Sequence, residues 1–173
     1  TNEINAQPIH TGTIIGCHNG TIDEFRPPKA LEDRRTDSRE FIERINKHGI
    51  EQAVTDAKTG AYALVYIDIE ERTVNLCRNY QRPLFIMWNT GKSCLYWASE
   101  KEMLLFLRER EGFGSFCLPE SLVPNRLYTI KLGTLSIEES ELPFYQYVFP
   151  EQNTARIIPL VGSITKNLSE NCL

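Results

Sequence analysis

Residues 14–23 read IIGCHNGTID. An apolar run, Ile14-Ile15-Gly16-Cys17, passes directly into His18-Asn19-Gly20. Thr11 to Cys17 is rich in Ile and Thr and predicts a β-strand. A polar triplet at the end of a buried strand admits two readings. Asn-Gly is a favoured two-residue hairpin turn, because both residues tolerate positive φ. The same pair also suits acyl-transfer chemistry, which builds negative charge on a carbonyl oxygen. An asparagine NH2 and a glycine backbone N–H, aimed at that oxygen, each stabilise it by about 3 kcal/mol. Asparagine donates without carrying charge, and glycine has no Cβ to block close approach. On the dipeptide alone both readings stand.

Outward from this stretch the chain divides into elements. Thr1 to Pro8 is polar and reads as a loop, and Glu24 to Arg35, with Pro27-Pro28, as an exposed connection. Asp37-Ser38-Arg39-Glu40 has the pattern of a capping box with Asp37 as the cap. Phe41, Ile42 and Ile45 follow at helical spacing up to Gly49. Ile50, Ala53, Val54 and Ala57 repeat that spacing in a second helix, stopped near Gly60. Four strand-like runs come next: AYALVYID from Ala61, TVNLCRN from Thr73, PLFIMWN from Pro83 and CLYWAS from Cys94. Ala61–Ile67 and Leu84–Trp88 show almost no polar alternation, which predicts strands covered on both faces. Glu100–Arg110 predicts a helix, and Leu127–Leu132 with Thr134–Ile137 a hairpin about Gly133. Pattern alone therefore gives an α+β fold of largely antiparallel, stacked layers.

Composition narrows the function. The 173 residues are 41% hydrophobic and 24% charged with net charge −4, which suits one globular domain. No basic stripe exists to neutralise phosphates, so nucleic acid is not an expected partner. No apolar run approaches the ~20 residues of a membrane span, and no charged-then-apolar leader opens the chain. The five cysteines, Cys17, Cys77, Cys94, Cys117 and Cys172, are odd in number and form no CxxC pair. Buried free thiols in a reducing compartment, the cytoplasm, are expected, with neither a metal site nor a disulfide framework.

The stretch NAQPIHTGTIIGCHNGTID, residues 5–23, resembles the class II, N-terminal-nucleophile glutamine amidotransferases, whose members carry Asn-Ala-x-Pro, a strand and then His-Asn-Gly at this separation. His before Asn-Gly is closer to hexosamine-phosphate synthases and amidophosphoribosyl transferases than to asparagine synthetases. TDSRE (36–40) is similar to the family's Thr-Asp-Thr-Glu helix start, TGAYALVYID (59–68) to its Gly-Ala-Tyr strand, CRNYQRPLFI (77–86) to its Arg-x-x-x-Pro-Leu strand, and YWASE (96–100) to its Ala-Ser-Glu. The likeness runs over about residues 3–137.

The resemblance implies a four-layer αββα sandwich of mainly antiparallel sheets, of N-terminal-nucleophile hydrolase type. Residues 1–140 would form the glutamine amidotransferase domain without its first segment, and 141–173 a C-terminal tail or extension. It implies that the Asn19 side chain and the Gly20 N–H form an oxyanion hole and that Asp37 binds the α-ammonium of glutamine. A plain helix cap remains the other reading of Asp37. His18 is expected to pack rather than catalyse, Arg82 and Glu100 to hold the fold, and Gln7 has no assigned role. The implied reaction hydrolyses the glutamine side-chain amide to glutamate and ammonia, with no metal or cofactor. The implied partners are L-glutamine and a synthase domain or chain that accepts the ammonia. The family's nucleophile is an N-terminal cysteine with its own α-amine as base. None of the five cysteines stands in that place, so an upstream cysteine is expected. A Thr1 nucleophile is not expected, since Thr1 lies just before the Asn-Ala-x-Pro loop. The alternative is a catalytically silent domain of the same fold used for binding or regulation.

Overall fold

The structure is a computed structural model that describes residues 3–27 and 35–143. The readings of Thr1 and Cys172, most of the 24–35 connection and all but the start of the proposed 141–173 tail lie outside the described residues. The described residues form two compact units, one from residues 3–27, 35–82 and 124–143, the other from 83–123.

In the first unit six antiparallel strands lie in the order β1-β2-β3-β4-β8-β9. They are β1 (Ile9–Thr11), β2 (Ile14–Thr21), β3 (Ala61–Asp68), β4 (Thr73–Arg78), β8 (Arg126–Lys131) and β9 (Ile137–Glu141). The expected single strand from Thr11 is a hairpin turning at Gly12-Thr13, and its second arm runs on to Thr21. Asn19 pairs with Ala63 and Gly20 with Tyr62. The Asn-Gly pair is therefore strand, and the turn reading is excluded. The β8–β9 hairpin is displaced from expectation, with Gly133 in the turn and the return strand starting at Ile137.

Helix α1 (Asp37–Asp56) packs on this sheet through Phe41, Ile42, Ile45, Ala53 and Val54. Each such burial is worth about 1.5–3 kcal/mol for the larger side chains. Gly49, at φ 80, breaks the helical path, so the two helices read from sequence are the two halves of α1. Arg44 joins the halves: it pairs with Glu40 in its own half and with Asp56 in the other, at 3.1 and 2.7 Å. Close approach of helix to sheet depends on Gly16, where a Cβ would stand 2.5 Å from Ile42 Cδ1.

One expectation is corrected here. On β3, Tyr62, Leu64 and Tyr66 are buried, but Ile67 is 36% exposed and Val65 only half-buried. On the other face Ala63 is buried as well, so among the described residues that face is covered at Ala63 and exposed toward Ile67.

The second unit has strands β5 (Phe85–Trp88), β6 (Leu95–Ala98) and β7 (Glu120–Ser121) in the order β6-β5-β7, with helix α2 (Lys101–Glu111). Met87, Leu104 and Phe116 form one buried cluster in it, and Leu84, Ile86 and Leu122 are buried as well. Cys117 is disulfide-bonded, which corrects the expectation of a free thiol. Cys17, Cys77 and Cys94 are free, but only Cys77 is buried, its thiol pushed up to about 12 by burial. No helix of the described residues is long and apolar enough to cross a membrane.

Candidate active site

β2 carries successive side chains to opposite faces, and its burial alternates accordingly. His18 is buried against α1, while Cys17 and Asn19 are exposed on the other face. His18 meets Phe41 edge-on at 5.5 Å between ring centroids, and its Nδ1 lies 2.9 Å from Ser38 Oγ. The Asn19 carboxamide thus projects from the sheet face that α1 does not cover.

The Gly20 backbone addresses a different direction. Tyr62, its partner across the ladder, donates its N–H to Asn79 Oδ1 and accepts from the Asn79 N–H, at 3.2 and 3.0 Å. Both polar groups of Tyr62 face β4, so Gly20–Tyr62 is a non-hydrogen-bonded pair. His18 fixes the same parity from the other side. Its N–H donates to Gln7 Oε1 at 2.6 Å, and its C=O accepts from Gln7 Nε2 at 2.9 Å. Alternate residues of a strand address the same side, so the Gly20 N–H points to the outer edge of β2, past the end of β1. Gly20 itself sits at φ +154, and a Cβ there would stand 1.8 Å from the Ala61 carbonyl oxygen. Only glycine fits.

Asp37 is drawn to the same end of β2. Thr36 is the true N-cap, its Oγ1 accepting from the Arg39 N–H at 3.2 Å. This corrects the capping-box reading, in which Asp37 was the cap. Asp37 occupies the first helical position, where its negative charge is favoured by the helix dipole. Its Oδ1 accepts from the Ser38 N–H at 2.8 Å and its Oδ2 from the Ile22 N–H at 2.9 Å, two residues beyond Gly20. Ile22 is fully buried, and Phe25 packs on Phe41 at 5.7 Å. The exit of β2 is thereby pinned to the start of α1. The half-buried carboxylate keeps lone pairs for a further cation.

The surroundings of His18 disfavour its charged form. Burial pushes its pKa down; the Asp37 carboxylate and the Ala61 carbonyl pull it up, and the Arg82 guanidinium pushes it down again. The ring Nε2 is buried and has no partner at regular hydrogen-bond geometry. An unfolded imidazole takes up its proton near about pH 6.5, the folded one only at lower pH. The unfolded state then binds more protons, so stability falls as pH drops below that point. Urea midpoints measured from pH 7.5 to 5.5 should decline, and His18→Gln should flatten the decline. Parallel curves for the two proteins would show that His18 contributes nothing to it.

Sequence reasoning missed Gln7 and Ser38 at this site; the Asn-Ala-x-Pro pattern marked the first only as part of a loop. Among the described residues no group of acidic, histidine and cysteine side chains is placed to hold a metal ion. A sequence profile of the glutamine amidotransferase domain matches residues 1–106. No curated protein sequence matches the chain. Solved structures do. The glutamine phosphoribosylpyrophosphate amidotransferase of B. subtilis, complexed with ADP and GMP, is 17% identical with a TM-score of 0.54 over 81% of this chain and 32% of its own. A glutamine aminotransferase class-II domain protein from Silicibacter pomeroyi is 15% identical with a TM-score of 0.55 over 82% and 73%. An allosteric regulatory enzyme of purine biosynthesis is 17% identical with a TM-score of 0.52 over 79% and 31%. The chain spans about a third of the first and third of these proteins and about three quarters of the second. At such identity the likeness speaks for the fold, the antiparallel architecture of N-terminal-nucleophile amidotransferases. With the profile covering more than half of its residues, the chain belongs to the class II glutamine amidotransferase domain family.

Proposed function

We propose that this domain carries out the glutaminase half-reaction of a glutamine amidotransferase. A cysteine thiolate from a segment ahead of Thr1 attacks the side-chain carbonyl carbon of glutamine, and the carbonyl π electrons move onto oxygen. The Asn19 carboxamide and the Gly20 N–H receive that oxyanion. The carbon–nitrogen bond then breaks, ammonia leaves with a proton from the N-terminal ammonium, and water hydrolyses the thioester to glutamate. Asp37 holds the substrate α-ammonium. The ammonia passes to a synthase domain or chain.

The observation that supports this reading is that three features lie near one end of β2. A carboxamide projects from the face that α1 does not cover, an N–H points past the strand's edge, and a half-buried carboxylate is tied to Ile22 just beyond. The test is glutamate release from glutamine by the full-length protein; no release would refute it. Asp37→Asn loses the charge, keeps one accepting oxygen for the Ser38 or Ile22 N–H and sets its NH2 against the other. A hydrogen bond to a charged group is worth about 1.5–3 kcal/mol. The KM for glutamine should therefore rise about 10- to 100-fold with little change in kcat. An unchanged KM would return Asp37 to a purely structural role.

A further inference from the structure

We propose that Gln7 is a positioning residue of the glutaminase site, its side-chain amide standing in for one residue of a missing strand. The inference rests on the glutaminase reading above and names what aims one of its donors. β1 ends its pairing at Ile9, opposite Gly16. From there on, β1 offers the outer edge of β2 no ladder partner, at the point where the chain must deliver Asn19 and Gly20. Unpaired edge strands twist and slip readily. Gln7 closes this gap at His18 with two parallel hydrogen bonds, at 2.6 and 2.9 Å, to the N–H and C=O of a single residue.

The chemistry of that clamp admits few residue types. It requires a donor and an acceptor side by side in one plane, which among side chains only a carboxamide supplies without charge. The orientation of the amide is fixed by its partners, because an N–H can only donate and a C=O can only accept. Asparagine would reach one methylene less far. The side chain is exposed, so packing does not account for it. What the clamp holds is the His18 peptide pair, and the next peptide on that edge is the Gly20 N–H. On the other side His18 is tied through its ring to Ser38, beside Asp37. Gln7 thus sets the height of the strand edge against the helix that carries the ammonium-binding carboxylate.

An oxyanion donor acts in the transition state, so loosening its support should lower kcat and leave substrate binding intact. Misplacement of a reacting group by about 1 Å costs on the order of 100-fold. The experiment measures glutamine hydrolysis by the full-length protein with Gln7→Met, which keeps the volume and loses both bonds, and Gln7→Glu, which keeps the acceptor and sets a carboxylate oxygen against the His18 carbonyl. Both should fall about 10- to 100-fold in kcat with KM within about 2-fold of wild type, and their urea midpoints report whether the fold is retained. The His18 amide hydrogen should exchange faster in each. An active wild type with either folded variant within about 2-fold in kcat overturns this inference alone, as does a rise in KM that accounts for the loss. A wild type that releases no glutamate overturns the glutaminase reading and the role of Gln7 with it.

Discussion

Asn19→Ala should lower the glutaminase kcat of the full-length protein by about 100-fold or more while leaving its stability nearly unchanged. The two halves of that expectation have separate causes. Asn19 is exposed on β2, and its carboxamide faces away from α1 and the buried cluster beneath it. Truncating an exposed side chain away from such features changes stability by no more than about 0.5 kcal/mol. Backbone pairing with Ala63 does not involve the side chain and survives. The activity loss comes from a donor aimed at charge that exists only after attack, and removing one such donor costs about 3–4 kcal/mol. KM should accordingly stay within about 2-fold, since the ground-state carbonyl needs the donor far less. Asn19→Asp sharpens the test. It keeps the shape, replaces the donor by an acceptor and places negative charge beside the oxyanion, so its kcat should be lower still. Steady-state glutamate release by the three proteins, with urea midpoints alongside, decides the matter. A folded, active Asn19→Ala protein at full rate would remove Asn19 from the oxyanion site.

How much of this was legible in the sequence depends on the range of the forces involved. The order of strands and helices came from periodicity, a local property, and it held for α1, α2 and most of the sheet. Asn19 and Gly20 were singled out by chemistry and resemblance, yet their secondary structure was ambiguous. Asn-Gly suits a turn by its tolerance of positive φ, and Gly20 uses that tolerance inside a strand, at φ +154. The cap was misplaced by one residue because Thr36 and Asp37 are both good caps and local rules do not choose between them. That difference matters. With Thr36 as cap, Asp37 is released to bind Ile22 fifteen residues earlier in the chain. Gln7 was silent for a related reason: one side chain capturing the backbone of His18 leaves no periodic trace. The Cys117 disulfide was hidden by an odd cysteine count with no diagnostic spacing. The exposure at the Ile67 end of β3 was not legible because apolar residues at Val65 and Ile67 read the same whether covered or not.

Gly20→Ala should be the most damaging single-methyl change in the first unit, destabilising it by about 3–5 kcal/mol and abolishing measurable glutaminase activity even where the protein still folds. Two penalties coincide at this residue. Its φ of +154 is a region that L side chains rarely adopt, and such strain costs about 1–3 kcal/mol. The added Cβ would also stand 1.8 Å from the Ala61 oxygen, 2.7 Å from the Ala61 carbonyl carbon and 2.9 Å from His18 Nε2. Overpacking of this kind costs about 1–3 kcal/mol. The first two neighbours are backbone and the third a buried ring held by Ser38, so none can turn aside as a flexible chain end would. The strand must instead move, and it can move only by displacing the N–H proposed to receive the oxyanion. Gly16→Ala is the instructive contrast. Its Cβ would meet Ile42 Cδ1 at 2.5 Å, the end of a rotatable side chain, and its φ carries no such penalty. It should cost less stability and retain turnover. Gly114→Ala, with open space around it, should do neither harm. Urea denaturation and glutamate release for the three variants order them as Gly20, Gly16, Gly114 in severity. A Gly20→Ala protein as stable and as active as Gly114→Ala would mean that β2 does not hold its glycine against Ala61, and that its N–H is not fixed where the oxyanion would form.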